Sequence, residues 1–444
     1  MQYPNRWLLL PIFLLGLSVS ATAQSTTIDF EKYELDNGLK VILHQDETAP
    51  IVAVSIMYEV GGKDSFEDRT GFAHFFEHLL FEGSENLERG EIDDYVEGAG
   101  GALNANTSDD RTYYYEILPS NQLALGLWIE SERLLHAKVQ TIGVETQRDV
   151  VKEERRERID NQPYGKLRIE LNRRAFREHP YKDPLIGYME DLTNAEEADF
   201  KRFYETYYVP NNAILSIAGN LDIAETKALI EKYFGDIPRG PEPPRITVVE
   251  APLGGEVRDT VYDQVPLPAL IMGYRTVGRD HPDYYAISMM NQVLSQGQSS
   301  RLNKALVDEQ ELAVQVGSFP SNSQDPGLAI AFALTKPGTE DLRPIEEAFQ
   351  REIDRMKNEL ITDRELEKLR NQIEVSAISG YGSVAGIAES LAYNEMFLGD
   401  ANLINTETDR YMEVTKEDIQ RVAREYYTDD NRVLLYWLPQ PSSR

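Results

Sequence analysis

The chain has 444 residues, with 45 basic against 75 acidic side chains, a net charge of −30 and no cysteine. That acidity excludes a nucleic-acid partner, since phosphate binding needs clustered Lys and Arg and gains from counterion release. The missing cysteines exclude a disulfide framework and a lipid-attached cysteine, and a length above 400 residues suits two domains of about 200 each.

Residues 1–23 read as an export signal: Arg6, an apolar run from Leu8 to Val19, then Ala21-Thr22-Ala23 as a small-x-small cleavage site. The mature chain is therefore expected in a periplasm or outside the cell. No stable membrane anchor is expected, because the run falls short of the roughly 20 apolar residues that a permanent span needs. Tyr33–His44 carries Asp36-Asn37-Gly38, a hairpin turn between apolar strands, and Val52–Tyr58 is a further strand.

Next comes His74-Phe75-Phe76-Glu77-His78. Two imidazoles four residues apart lie on one helix face and can reach the same metal, and the carboxylate three residues after the first also projects there. Two His plus a distant carboxylate make a zinc site with one position open to water. The order His-x-x-Glu-His inverts His-Glu-x-x-His and marks the inverzincin class of metallopeptidases. Phe75, Phe76, Leu79, Leu80 and Phe81 make the helix strongly apolar, and polar groups buried in such a setting need partners.

Thr112–Leu118 reads as a strand, and Leu123–Leu135 and the long segment Val144–Phe176 as helical. The stretch Gln147–Glu157 is the best source of a third ligand. Glu154 continues the apolar stripe of Val150 and Val151, while geometry alone leaves Glu153 and Glu157 open. The Pro- and Gly-rich run Phe234–Arg245 then breaks every periodic pattern, as a linker does.

The two sides of that run repeat each other. Tyr207-Tyr208-Val209-Pro210-Asn211-Asn212 before an apolar strand matches Tyr426-Tyr427-Thr428-Asp429-Asp430-Asn431 before another, which argues duplication of a helix-turn-strand unit. Aligning Gly83 with Gly297 sets Ser288, Asn291 and Gln292 opposite His74, Glu77 and His78, so one metal site per chain is expected, in the first half. The expected organisation is a signal at 1–23, a metal-bearing domain at 24–235, a linker at 236–262 and a homologous domain without ligands at 263–444. Its fold class is α+β: two halves, each a mainly antiparallel sheet with helices packed on one face.

The chain resembles the pitrilysin/insulinase inverzincins, most closely their processing-peptidase-like branch. The resemblance rests on Leu35-Asp36-Asn37-Gly38-Leu39, Gly71–Phe81, Gly100-Gly101-Ala102-Leu103-Asn104-Ala105, Thr107-Ser108, Arg148–Glu154 and His179-Pro180-Tyr181. It implies a clamshell of two halves, one Zn2+ per chain held by His74, His78 and Glu154, and Glu77 as general base. It also implies that Ala102–Asn106 is an exposed edge strand to which a peptide substrate adds, with Asn104 and Ala105 as substrate-binding residues. Two departures stand out. Gln147 replaces a second glutamate seven residues before Glu154, and Val307 and Val314 replace an Arg and a Tyr that stabilise the oxyanion in active single-chain members. In the family's heterodimers one subunit holds zinc and the other supplies that pair, so the resemblance implies a homologous, zinc-less partner. The expected activity is that of an exported zinc endopeptidase acting on peptides or unfolded segments. The competing reading is a non-catalytic, peptide-holding scaffold of the same fold.

Overall fold

The computed structural model describes residues 27–66 and 69–440; the expected signal at 1–23 lies outside them. Six strands form the first sheet: β1 Glu31–Glu34, β2 Lys40–Gln45, β3 Ile51–Tyr58, β4 Ala102–Thr107, β5 Thr112–Pro119 and β6 Ala213–Gly219, in the order β1-β2-β6-β3-β5-β4. Five form the second: β7 Val257–Asp263, β8 Ala269–Arg275, β9 Ala313–Pro320, β10 Leu328–Thr335 and β11 Arg432–Pro439, in the order β7-β11-β8-β10-β9. Each sheet has one parallel pair, β2 with β6 and β7 with β11, and is otherwise antiparallel. The hairpin turn at Asp36-Asn37-Gly38 joins β1 to β2, with Glu34 opposite Lys40 and Gly38 at φ 89°.

The duplication extends to side chains. Asn212 Nδ2 donates to the Tyr207 carbonyl at 2.8 Å, and Asn431 Nδ2 to the Tyr426 carbonyl at 2.7 Å, so each repeat locks the turn before its returning strand in the same way.

Helices cover one face of each sheet as expected, but the opposite face is covered too, by a helix from the other half. Val52, Val54, Ile56 and Tyr58 of β3 pack into the core of their own half, whereas Ala53 and Met57 point the other way against Ile387, Leu391 and Ala392 of the helix Val384–Leu398. In return, Leu171, Ala175 and Phe176 cover Ile271, Val433, Leu435 and Trp437 of the second sheet. Gly273 of β8 sits so close that an added Cβ would lie 3.0 Å from Leu171. Ile28, ahead of β1, is tied across as well, with Asn405 bonded through both side-chain atoms to its backbone at 2.8 and 3.0 Å.

Two expectations need correction. The linker at 236–262 runs too far, because Val257–Asp263 is the strand β7 on the edge of the second sheet, with its apolar alternation masked by Arg258, Asp259 and Asp263. The long helical segment 144–176 is also interrupted. Its first part ends at Arg155 and continues as a wide π-type turn over Arg156–Asp160, and helix resumes only at Leu167–Ala175. Pro163 and Gly165, with Tyr164 held at φ 61°, account for the break.

Candidate active site

The motif lies on helix α1, Phe72–Leu79, whose sequence divides it into two faces. Phe72, Phe75, Phe76 and Leu79 recur at helical spacing and are fully buried, and the three phenylalanines pack on Phe200 and Phe203 with ring centroids 4.5 to 6.0 Å apart. Burying each such side chain stabilises by about 1.5–3 kcal/mol, so the helix is held by its apolar face and not by the polar one. The start of α1 is equally constrained. Gly71 has φ 86° and Gly187 φ 84°, and a Cβ on Gly71 would lie 2.6 Å from the Ile186 carbonyl, so the two glycines let the chain cross back to back.

The opposite face of α1 carries His74, Glu77 and His78. After α2, Glu91–Gly98, and α3, Leu123–Leu135, helix α4, Thr141–Arg155, brings Glu154 to that face. Glu154 Oε2 is 3.1 Å from His78 Nε2 and 3.5 Å from His74 Nε2, and the three donor atoms lie within 4.8 Å of one another. Ligand atoms of a tetrahedral centre with bonds of about 2.0–2.1 Å stand roughly 3.3 Å apart, so the spacing and the N, N, O chemistry both fit zinc. Burial works against the charge of Glu154, yet the hydrogen bonds and charges of His74 and His78 outweigh it and hold its carboxyl well below the usual range. Its other oxygen meets Arg158 Nη1 at 2.6 Å. The alternatives face elsewhere: Glu153 pairs with Arg156 at 2.7 Å, and Glu157 is exposed. His74 is buried, with an Nδ1 that has no partner among the described residues.

Glu77 faces β4. Thr107 Oγ1, at the end of that strand, donates to Glu77 Oε2 at 2.6 Å. Among the described residues β4 pairs only with β5 and is a free edge of the first sheet, with Ala102, Asn104 and Asn106 exposed. The Ala105 N–H is taken up by Asn104 Oδ1 at 2.9 Å, a local bond that occupies an edge donor. Beside His74 and Glu154 opens a cavity of about 290 Å³ walled by Ile159, Ile169, Leu185 and Ile186. Its lining is gathered from residues between 74 and 186, so no local sequence pattern marks this cavity.

The departing positions lie apart from this cluster of contacts. Gln147 Nε2 donates to Glu82 at 2.5 Å. Val307 packs against the second core, and Val314 is half exposed on β9. In the second half, the helix Asp283–Ser295 carries Ser288, Asn291 and Gln292, and among the described residues His74, His78 and Glu154 are the one group with metal-ligand spacing.

Comparison with known proteins agrees over nearly the whole chain. Residues 40–188 match the family described as insulinase (peptidase family M16), and residues 194–373 match the peptidase M16 inactive domain. The zinc protease PqqE of Helicobacter pylori is 30% identical over 436 residues, covering 96% of this chain and 97% of that protein. The probable mitochondrial-processing peptidase subunit beta of Schizosaccharomyces pombe is 26% identical over 420 residues, covering 90% and 89%. A crystal structure of a protease from Helicobacter pylori matches with a TM-score of 0.88 at 28% identity, covering 93% of this chain and 100% of that one. The chain belongs to peptidase family M16, the insulinase and pitrilysin family.

Proposed function

We propose that the chain is an exported zinc endopeptidase that hydrolyses peptides or unfolded segments, working in a periplasm or outside the cell after its signal is removed. The observation that carries this reading is the convergence of His74, His78 and Glu154 within 4.8 Å, with Glu77 on the same helix face and a free edge strand alongside. His74, His78 and Glu154 are the residues that would hold the metal. Zinc bound there supplies Lewis-acid polarisation of a peptide carbonyl and makes a water more acidic. Glu77 takes the proton of the attacking water on its carboxylate and returns it to the departing amine nitrogen. The substrate lies along β4, where the Ala105 N–H becomes a donor to peptide once Asn104 Oδ1 swings away.

Oxyanion support is the missing part, since Val307 and Val314 have no side-chain donor. We therefore assign this chain the zinc-bearing role in a pair whose other subunit, homologous and zinc-less, supplies an Arg and a Tyr. That a relative is named as a subunit of a processing peptidase supports the pairing.

Metal analysis combined with cleavage of a peptide library tests the reading. One zinc per chain, cleavage raised by the co-purifying homologue, and loss of cleavage in Glu77→Gln with zinc retained are expected. Full activity of the chain alone would remove the partner. The second reading, a peptide-holding scaffold, is favoured by Val307 and Val314 and by the match to the inactive domain. It predicts peptide binding without cleavage even when the partner is present.

A further inference from the structure

Glu77 is held from β4 by the Thr107 hydroxyl, and the second half shows what a complete set of contacts at this helix position looks like. Asn291 stands where Glu77 does. It receives Ser318 Oγ from the edge strand β9 and donates through Nδ2 to the Tyr427 hydroxyl at 2.6 Å. Ser318 is not the strict counterpart of Thr107. The ladders Thr107–Thr112–Tyr58–Ala213 and Pro320–Ala329–Tyr274–Arg432 put Ser318 in the place of Ala105, two residues earlier on the same strand face. Glu77 carries one methylene more than Asn291, and the hydroxyl that meets it sits one same-face position further along.

Tyr427 does have a strict counterpart, since the repeated Tyr-Tyr unit makes it Tyr208. Tyr208 is buried, and its hydroxyl lies beside those of Thr112 and Tyr114 with no direct bond to Glu77. Burial raises this hydroxyl above its ordinary value; hydrogen bonding with Thr112 and Tyr114 lowers it, and the Glu77 carboxylate raises it again, leaving it protonated and able to donate. Its ring packs on Tyr58 and Phe76 with centroids 4.7 and 5.1 Å apart, so it is fixed behind α1.

We propose that Thr107 and Tyr208 are positioning residues for the general base: Thr107 bonds the Glu77 carboxylate from the edge strand, and the Tyr208 hydroxyl is the second donor the carboxylate meets when it turns toward the repeat tyrosine. The bond sense differs between halves. Asn291 donates to Tyr427, whereas a carboxylate can only accept, so Tyr208 must donate. The Thr107 bond also joins the strand that receives the peptide to the group that takes the proton, so substrate seating and base orientation are set by one contact. This inference rests on the peptidase reading of Glu77.

Two measurements on the full mature chain test it. The first uses neither metal nor activity: double-mutant cycles on denaturant unfolding pair Glu77→Gln with Thr107→Val and with Tyr208→Phe. Non-additive midpoints are expected in both cycles; additive ones would overturn the grip. The second follows peptide cleavage with the partner present. Thr107→Val is expected to lower kcat by about 10- to 100-fold with KM within about twofold, Thr107→Ser to restore it, and Tyr208→Phe to lower kcat about tenfold. A purely structural role predicts the reverse, namely a neutral or stabilising Tyr208→Phe and a Thr107→Val effect confined to KM. Coupling without cleavage by any form would leave the grip standing and remove the peptidase reading; cleavage with additive midpoints would do the opposite.

Discussion

Single side chains fix the end of the motif helix as firmly as the aromatic stack fixes its flank. Arg133 of α3 is buried against Glu116 at 2.7 Å and against Glu130, donates weakly to the Leu80 carbonyl, and lies over the rings of Phe81 and Tyr114. The Tyr114 hydroxyl in turn donates to the Phe76 carbonyl at 2.8 Å. Burial, and then the neighbouring Glu130, push the Glu116 carboxyl well above its usual range, so the group keeps one proton among two acids and one base. Removing Arg133 should strand both carboxyls, and Arg133→Ala is expected to destabilise by about 3–5 kcal/mol, read from the denaturant midpoint. The sequence showed the His74, Glu77 and His78 relation because it is local, four residues of helix. It did not show Thr107 or Tyr208, because their relation to Glu77 comes from strand and helix packing over 30 and 131 residues of chain. Glu154 lay between these cases: two other glutamates within three residues left the periodic pattern undecided, and only the family resemblance singled it out.

At the scale of elements, the edge strand β4 is the one whose chemistry can be tested alone. Its outward donors include the Ala105 N–H, now bonded to Asn104 Oδ1. Asn104→Ala frees that donor, and Ala105→Pro removes it. If peptides add here, the first should lower KM modestly, and the second should raise it by about 3- to 10-fold, equivalent to about one net hydrogen bond. A peptide-binding titration on Glu77→Gln measures both without turnover. Strand β3 explains why the layering was only half legible. Its run Ile51–Tyr58, apolar but for Ser55, reads as a strand, yet nothing local says that Ala53 and Met57 await a helix some 330 residues later. The same limit applies to β7, whose charged edge pattern resembles a linker until β11 pairs with it.

For the whole molecule, one polar tie between the halves is a largely buried knot. Lys63 Nζ meets Asp110 at 3.0 Å and Asp325 at 2.9 Å, and Tyr181 donates to Asp110 at 2.5 Å while accepting from the Asp325 N–H at 3.1 Å. Burial opposes the charge of Asp325, but His179 and Lys63 outweigh it and lower its value from 3.8 to about 2. A carboxylate lowered in the fold adds stability that is present above its unfolded value and is lost as pH falls through its folded one. The tie should thus hold at neutral pH and weaken between about pH 4 and pH 2. Denaturant midpoints across that window check this, with Asp325→Asn expected to flatten the slope.

The helices traded between the sheets bear on how the protein is made. A chain leaving the ribosome finishes β6 at Gly219 long before residues 384–398 appear, and until then Ala53, Met57, Ile42 and Ile214 have no cover. The first half therefore cannot complete itself while the second is still being synthesised, and the nascent protein must wait with a sheet face bare. Long-range pairing of this kind slows folding and makes it all-or-none. Expressed alone, residues 27–256 should collapse without a sharp unfolding transition, whereas the full chain should melt in one step. A nascent chain kept open in this way also stays threadable through a narrow pore until the helix Val384–Leu398, in the last seventh of its length, arrives.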